Sequence, residues 1–321
     1  MNKLNMLVLF LLFAGLNVLA QTPADTTYYL KNKVGYVRNK DSADYKRVVT
    51  APGPGSNLYQ INDYYIDGKK KSTAQGRMDK RMIYEGPYVS YYQNGNKQKE
   101  GTYVNNELEG EVNTYYPDGK LYVTKIYKKE GTPALRSEYI KTVKDRKGKV
   151  LVVNGNGKYH IYDEDFKQIT DEGSVKDGVY DGTWTGTNDE DQISYSEIYV
   201  KGKLISGKSK DEKGNSYDYT ELIVSPEFVG GTGALSVFLG RNIKYPRKCM
   251  EEGIEGTVIL TFKVLKTGAL SEISVTREIH KDLAKEAVRV VKLSPRWKTG
   301  YYRGVPSNIL CNLPVKFVLG N

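Results

Sequence analysis

The chain has 321 residues, enough for two domains with ordinary hydrophobic cores. With only 2 cysteines and 2 histidines it cannot be a disulfide-rich scaffold or a Cys/His-rich zinc module. A net charge of +10 is unevenly placed: residues 225–321 hold 15 Lys and Arg against 8 Asp and Glu, so the counterpart of this chain is expected to be acidic.

Residues 1–20 read as an export signal. Lys3 supplies a short basic start, Met6 to Phe13 an apolar run continuing weakly to Val18, and Val18-Leu19-Ala20 a cleavage site before Gln21. A bilayer span needs about 20 apolar residues, and Asn17 interrupts this stretch. Cleavage, giving a soluble periplasmic or envelope protein, is therefore expected; retention as an inner-membrane anchor is the alternative. In an exported chain the basic balance points to acidic peptide segments or an anionic surface and away from nucleic acid. No cysteine follows the apolar run to carry a lipid, and residues 21–58 form a lead-in segment.

From residue 59 to 224 the chain repeats itself. "YYQNGNK" at Tyr91 is echoed by "YYPDGKL" at Tyr115, and the tyrosine pairs, Asn94-Gly95 with Asp118-Gly119, and Gly86 with Gly110 share one offset of 24 residues. Alternating tyrosines suit the two faces of a strand, and Asn-Gly or Asp-Gly suits a type I′ hairpin turn. "EGTYVNNELEG" from Glu100 adds a second strand and turn, "YYIDGKK" at Tyr64 is an earlier copy, and "GSVKDGVYDGTWTGT" and "YVKGKLISGKSKDEKGNSY" are degenerate later ones. Such short hairpins bury a face only by stacking on neighbours, which predicts an elongated antiparallel array. Of the 27 tyrosines, 24 precede residue 225. They suit cross-strand packing; a face for peptidoglycan, lipid or protein is the alternative. The "YVKGKL" core makes residues 59–218 resemble MORN-type repeats in their degenerate bacterial form.

Residues 225–321 follow a different grammar. Pro246 opens a short helix that Gly253 ends. Val258, Leu260, Phe262 and Val264 alternate along a strand, Lys266-Thr267-Gly268 turns, and Ile273 and Val275 continue on the return strand. Leu283, Ala284, Ala287, Val288 and Val291 recur at helical spacing until Pro295, and a last run from Ser307 to Leu319 sets Cys311, Leu313, Val315 and Phe317 on one face. The expected fold is mainly β: a hairpin-repeat array followed by an α+β unit in which one helix covers a small antiparallel sheet.

"YPRKCMEEGIEGTVILTFKV", "LAKEAVRVVKLSPRWKTGYYRGVP" and "NLPVKFVL" together resemble the C-terminal domain of the TonB family, in the type common in Bacteroidetes. The resemblance rests on Tyr245 and Pro246, the Gly253 to Gly256 spacing, Trp297 of P-x-W and Pro314 of L-P-V-x-F. It implies a domain that accepts a short receptor peptide, the TonB box of an outer-membrane transporter, as an added strand. The acceptor edge would be Ser307, Asn308, Ile309, Leu310, Cys311, Asn312, Leu313, Val315 and Phe317, with Trp297 expected in the core. By the family pattern Cys249 and Cys311 are both core-facing, which allows a disulfide in an oxidising envelope. Cys249 replaces the usual alanine, and Thr267 the usual acidic turn residue. Tyrosine-rich repeats stand where an energy transducer has a long span across the periplasm, so an adaptor is expected ahead of a transducer.

Chemistry for catalysis or cofactors is not evident. His160 and His280 belong to different modules and read as loop residues, with no spacing to cysteine or carboxylate that makes a zinc site. "VGGTGAL" at Val229 lacks the lysine of a phosphate loop and suits a helix entry capped at Thr232. The acidic runs Asp163 to Asp165 and Asn188 to Gln192 lack the ladder of a calcium loop and suit solvated turns. No enzyme, cofactor or metal is expected, and the sequence is silent on oligomeric state.

Overall fold

The structure, a computed structural model, describes residues 25–32, 35–130 and 135–319; the expected export signal lies outside them. Contacts group the chain into two compact units, Met1–Leu121 with Tyr127–Arg136, and Tyr122–Ile126 with Ser137–Asn321. The expected junction at 225 thus falls inside the second unit. No helix among the described residues is long and apolar enough to cross a membrane.

The first unit contains β1 (Thr26–Lys31), β2 (Gly35–Tyr36), β3 (Tyr45–Thr50), β4 (Tyr59–Tyr65), β5 (Lys70–Met78), β6 (Met82–Tyr84), β7 (Gly86–Tyr91), β8 (Lys97–Val104) and β9 (Glu107–Tyr115). All its pairings are antiparallel, β1 with β3, then β3–β4–β5–β7–β8–β9. The tyrosine pairs explain the repeat: Tyr65 Oη donates to the carbonyl of Tyr91 at 2.8 Å, and Tyr92 Oη to that of Tyr115 at 2.7 Å. The second ring of each pair therefore fastens the first residue of the next. Burial pushes the Tyr92 phenol up to about 12.

Turn types differ from the expectation at Asn94-Gly95 and Asp118-Gly119. Only the glycines are left-handed there, φ 92° and 86°, and the loops close from Tyr92 N to Asn96 O and from Tyr116 N to Lys120 O. These are longer turns with a left-handed glycine, and beside the first of them the strand register shifts between Ser90 and Tyr91. Two-residue turns with both φ positive occur at Asn105-Asn106, 50° and 72°, and, as the dipeptide predicts, at Asn154-Gly155, 47° and 80°, and Asp177-Gly178, 52° and 82°.

β10 (Leu121–Glu130) and β11 (Leu135–Lys144) contribute to both units. The second unit continues with β12 (Val150–Val153), β13 (Asn156–Tyr162), β14 (Ile169–Lys176), β15 (Val179–Asn188), β16 (Ile193–Val200), β17 (Lys203–Lys210) and β18 (Ser216–Tyr219), each antiparallel to the next. Along β16 burial alternates strictly: Ile193, Tyr195, Glu197 and Tyr199 are buried and the residues between them exposed. An aromatic packs directly over a glycine on the neighbouring strand, Trp184 over Gly173, Tyr195 over Gly186 and Tyr219 over Gly207. A Cβ at any of the three glycines would overlap the ring. Tyr180 stacks on Trp184 with centroids 3.7 Å apart, so these aromatics are packing elements, each ring covered by its neighbour.

β19 (Ile223–Val224), α1 (Gly231–Asn242), α2 (Arg247–Glu251), β20 (Gly256–Val264), β21 (Leu270–Arg277), α3 (Lys281–Lys292), β22 (Gly300–Tyr302), β23 (Val305–Ser307) and β24 (Ile309–Phe317) complete the unit. Two small sheets result, ordered β19-β22-β23 and β21-β20-β24. α3 lays Leu283, Ala284, Ala287, Val290 and Val291 on the second sheet, against Val258, Leu260, Phe262, Val315 and Phe317. Each fully buried aliphatic contributes about 1.5–3 kcal/mol. The helix entry at Val229 differs from its expectation in one detail: Gly230 (φ 90°) is the N-cap of α1, and Thr232 lies inside the first turn with no capping bond.

The β22–β23 hairpin fixes this α+β region to the end of the repeat sheet. Its tip, Arg303-Gly304 (φ 50° and 76°), is a two-residue turn that sends Arg303 to Glu197 of β16, Nε to Oε1 at 2.7 Å. Glu197 is 2% exposed and also accepts Tyr219 Oη at 2.6 Å and Tyr199 Oη at 3.0 Å. The guanidinium lies 3.5 Å from the Tyr195 ring centroid, and Ser209 Oγ donates to the Arg303 carbonyl at 2.6 Å. Burial alone would lower the Arg303 pKa, but the bond and charge of Glu197 outweigh it and raise it.

Candidate peptide-docking site

The sheet β21-β20-β24 has two outer strands of different character. β21 is irregular: its register against β20 shifts twice, between Ile259 and Leu260 and between Thr261 and Lys263, and Glu272 is left-handed at φ 52°. Such bulges twist an edge away from further pairing. β24 is regular, with nine consecutive partners from Ile309↔Val264 to Phe317↔Gly256. Among the described residues, β20 is its one strand partner.

Pro314 orients the ladder. It lies opposite Ile259, and a proline is tolerated in a strand where its nitrogen faces an unpaired edge. Backbone direction alternates along an antiparallel strand, so the N–H groups of Leu310, Asn312 and Lys316 share the outward direction of the Pro314 nitrogen. The side-chain bond from Thr261 Oγ1 to Asn312 Oδ1, 2.6 Å, spans the close pair this register requires. Leu313, Val315 and Phe317 are buried, while Leu310, 62% exposed, Asn312, Pro314 and Lys316 face outward.

The predicted edge shortens at its start. Ser307 belongs to β23, where it pairs with Gly300 and is buried. Asn308 is the joint between the two sheets, its Oδ1 accepting Lys266 N at 2.9 Å. The edge is thus Ile309–Phe317, with Pro306 and Asn308 redirecting the chain from one sheet to the other.

The motif residues hold the edge from behind. Tyr245 donates to the Ile254 carbonyl at 2.5 Å and sets its ring edge-on to Phe317, 5.8 Å away. Pro246 is the N-cap of α2, and Gly253 (φ 65°) closes it in a left-handed turn. Gly256, opposite Phe317, leaves room for Ile279, which a Cβ would strike. Trp297 is core: it meets Phe262 and Phe228 edge-on at 5.4 and 5.7 Å, and its Nε1 donates to Ser294 Oγ at 2.9 Å.

Cys249 and Cys311 are separate thiols, not a disulfide. Cys249 turns its Sγ to His280 Nδ1 at 3.2 Å, and Cys311 Sγ lies 3.8 Å from the carbonyl of Ile309 on its own strand. His280, expected to lack such a neighbour, also caps α3 by accepting Asp282 N at 3.2 Å. His160 stands 3.5 Å from Glu172 on the neighbouring strand. The acidic runs form turns: Asp163 accepts the amides of Lys167 and Gln168, and Asn188 that of Asp191. Sequence reasoning missed Arg303 and Glu197, whose only signal was a charged residue alternating with tyrosines in "SYSEIYV".

No curated protein and no solved structure matches the chain significantly. Residues 241–319 match the family described as the Gram-negative bacterial TonB protein C-terminal, so this chain carries a TonB-type C-terminal domain.

Proposed function

We propose that this is an exported envelope protein whose TonB-type domain engages outer-membrane TonB-dependent receptors, taking a receptor's TonB-box peptide as a fourth strand beside β24. The observation that carries this reading is the contrast between the regular, singly paired β24 and the bulged β21. An added strand satisfies outward backbone groups with main-chain bonds, and the net positive charge of residues 225–321 speeds encounter with acidic segments. The repeats act as a scaffold clamped to the domain through Arg303, and the protein serves as a periplasmic adaptor.

Proline scanning tests the edge. Asn312→Pro and Leu310→Pro each remove an outward donor, so folded variants should lose TonB-box peptide binding by about 1 kcal/mol or more per bond. Lys316→Ala should lower mainly the on-rate and its salt dependence. Wild-type affinity in both folded proline variants, checked by circular dichroism, rejects strand addition at β24. N-terminal sequencing of the envelope protein separates adaptor from anchored transducer: a start at Gln21 supports the adaptor.

A further inference from the structure

Away from the docking edge, α2 meets the start of α3 in a cluster of three different metal-ligating groups. Cys249 Sγ, His280 Nδ1 and a carboxylate oxygen of Asp282 all lie within 4.8 Å of one another. Sγ is 3.2 Å from Nδ1, and Nδ1 is 3.8 Å from Asp282 Oδ2. A tetrahedral zinc ion, with bonds of about 2.3 Å to sulfur and about 2.0–2.2 Å to nitrogen or oxygen, spaces its ligand atoms by roughly 3.3–3.7 Å. The two separations from Nδ1 bracket that spacing, and the third, from Sγ to the Asp282 carboxylate, is within 4.8 Å.

We propose that Cys249, His280 and Asp282 form a binding site for one zinc-class divalent cation, leaving a fourth coordination position for water. Cys249 is fully buried and forms the closed end. The His280 and Asp282 side chains are 25% and 39% exposed, which opens the approach from solvent. Lys285 holds Asp282 Oδ1 at 3.5 Å, so the other oxygen is the one turned toward the ring. On binding, the thiol proton leaves to solvent and the sulfur takes the metal in its place. The Nδ1 lone pair passes from the Asp282 N–H to the ion. Thiolate and carboxylate together neutralise the two positive charges, and sulfur with imidazole favours zinc over magnesium or calcium.

Cobalt(II) reports such a site directly, because a cysteine thiolate bound to it gives an intense near-ultraviolet charge-transfer band. The reduced full chain should bind one equivalent of cobalt with that band and tetrahedral visible bands, and zinc should displace it. With 2 cysteines in the sequence, the Cys311→Ala protein has Cys249 as its one thiol and should keep the band. His280→Asn preserves a helix-capping side chain but removes the imidazole, and should weaken cobalt binding by more than about tenfold, as should Asp282→Asn. A folded wild-type protein without the band overturns the proposal. So does a band lost in Cys311→Ala, or one that His280→Asn leaves at full affinity.

Discussion

Arg47–Asp63 in the first unit and Arg303–Glu197 in the second each set a buried carboxylate against an arginine, and the two pairs behave differently. In the first, Arg47 and Asp63 face each other on β3 and β4, joined by bonds of 2.7 and 2.9 Å, with Ser72 Oγ adding a third at 3.1 Å. In the second, Glu197 and Arg303 stand 106 residues apart. The first pair staples neighbouring strands that already share a ladder. The second joins a repeat sheet to a domain with its own core. The same chemistry is local reinforcement in one place and module assembly in the other.

Arg303→Ala should have the largest effect. It removes the cation from a carboxylate that is 2% exposed and leaves it only the Tyr199 and Tyr219 hydroxyls, a loss of about 3–5 kcal/mol. The 2 tryptophans of the chain report the two sides, Trp184 in the repeat sheet and Trp297 in the domain core. Denaturant unfolding of Trp184→Phe and Trp297→Phe backgrounds should show both sides weakened together. A loss confined to one tryptophan would reduce the pair to a local staple.

Arg47→Ala should cost less, about 2–3 kcal/mol, because the Arg47 and Asp63 side chains are 25% and 8% exposed against 11% and 2% for Arg303 and Glu197. Hydrogen exchange should rise mainly in β3 to β5; an effect spread evenly over the chain contradicts the local role. Gly186→Ala and Gly207→Ala drive a methyl into the Tyr195 and Tyr219 rings, the rings flanking Glu197. A cost of about 1–3 kcal/mol is expected, read as a lower denaturation midpoint, and an unchanged midpoint would show that the rings are not held over the glycines.

The smallest effect is acidic. Burial alone would raise the Glu286 carboxyl, but Arg289, with a bond of 2.7 Å, and the Lys244 amide at 2.6 Å hold it below its ordinary 4.5. A carboxylate lowered by folding stabilises fully above its unfolded value and loses that contribution as pH falls through the lower folded one. Wild type should therefore lose stability below about pH 4.5 more steeply than Glu286→Gln. Parallel curves would remove Glu286 from the acid response.

Much of this was legible where the determinant is local. The α+β unit followed from strand alternation up to Val264 and helical spacing from Leu283, and the turn after α2 from Gly253. Packing of the tyrosines followed from their alternation. At Asn94-Gly95 the turn type was misread, though it held at Asp177-Gly178, because the dipeptide does not count the loop, which Tyr92 and Asn96 close one step farther out. Contacts set by tertiary folding left no local trace: Cys249 meets His280 across 31 residues, and Arg303 finds Glu197 only once the hairpin docks. The edge start at Ser307 was placed too early because an apolar alternation does not reveal that the chain changes sheets at Asn308.

Strand addition at β24 is tested most directly by residue-resolved hydrogen exchange on the full chain with and without a TonB-box peptide. The amides of Leu310, Asn312 and Lys316 should slow on binding, while Cys311, Leu313 and Val315, already bonded to β20 in this register, change little. Binding that leaves those three amides exchanging at their unbound rates, or that slows β21 instead, would contradict the account.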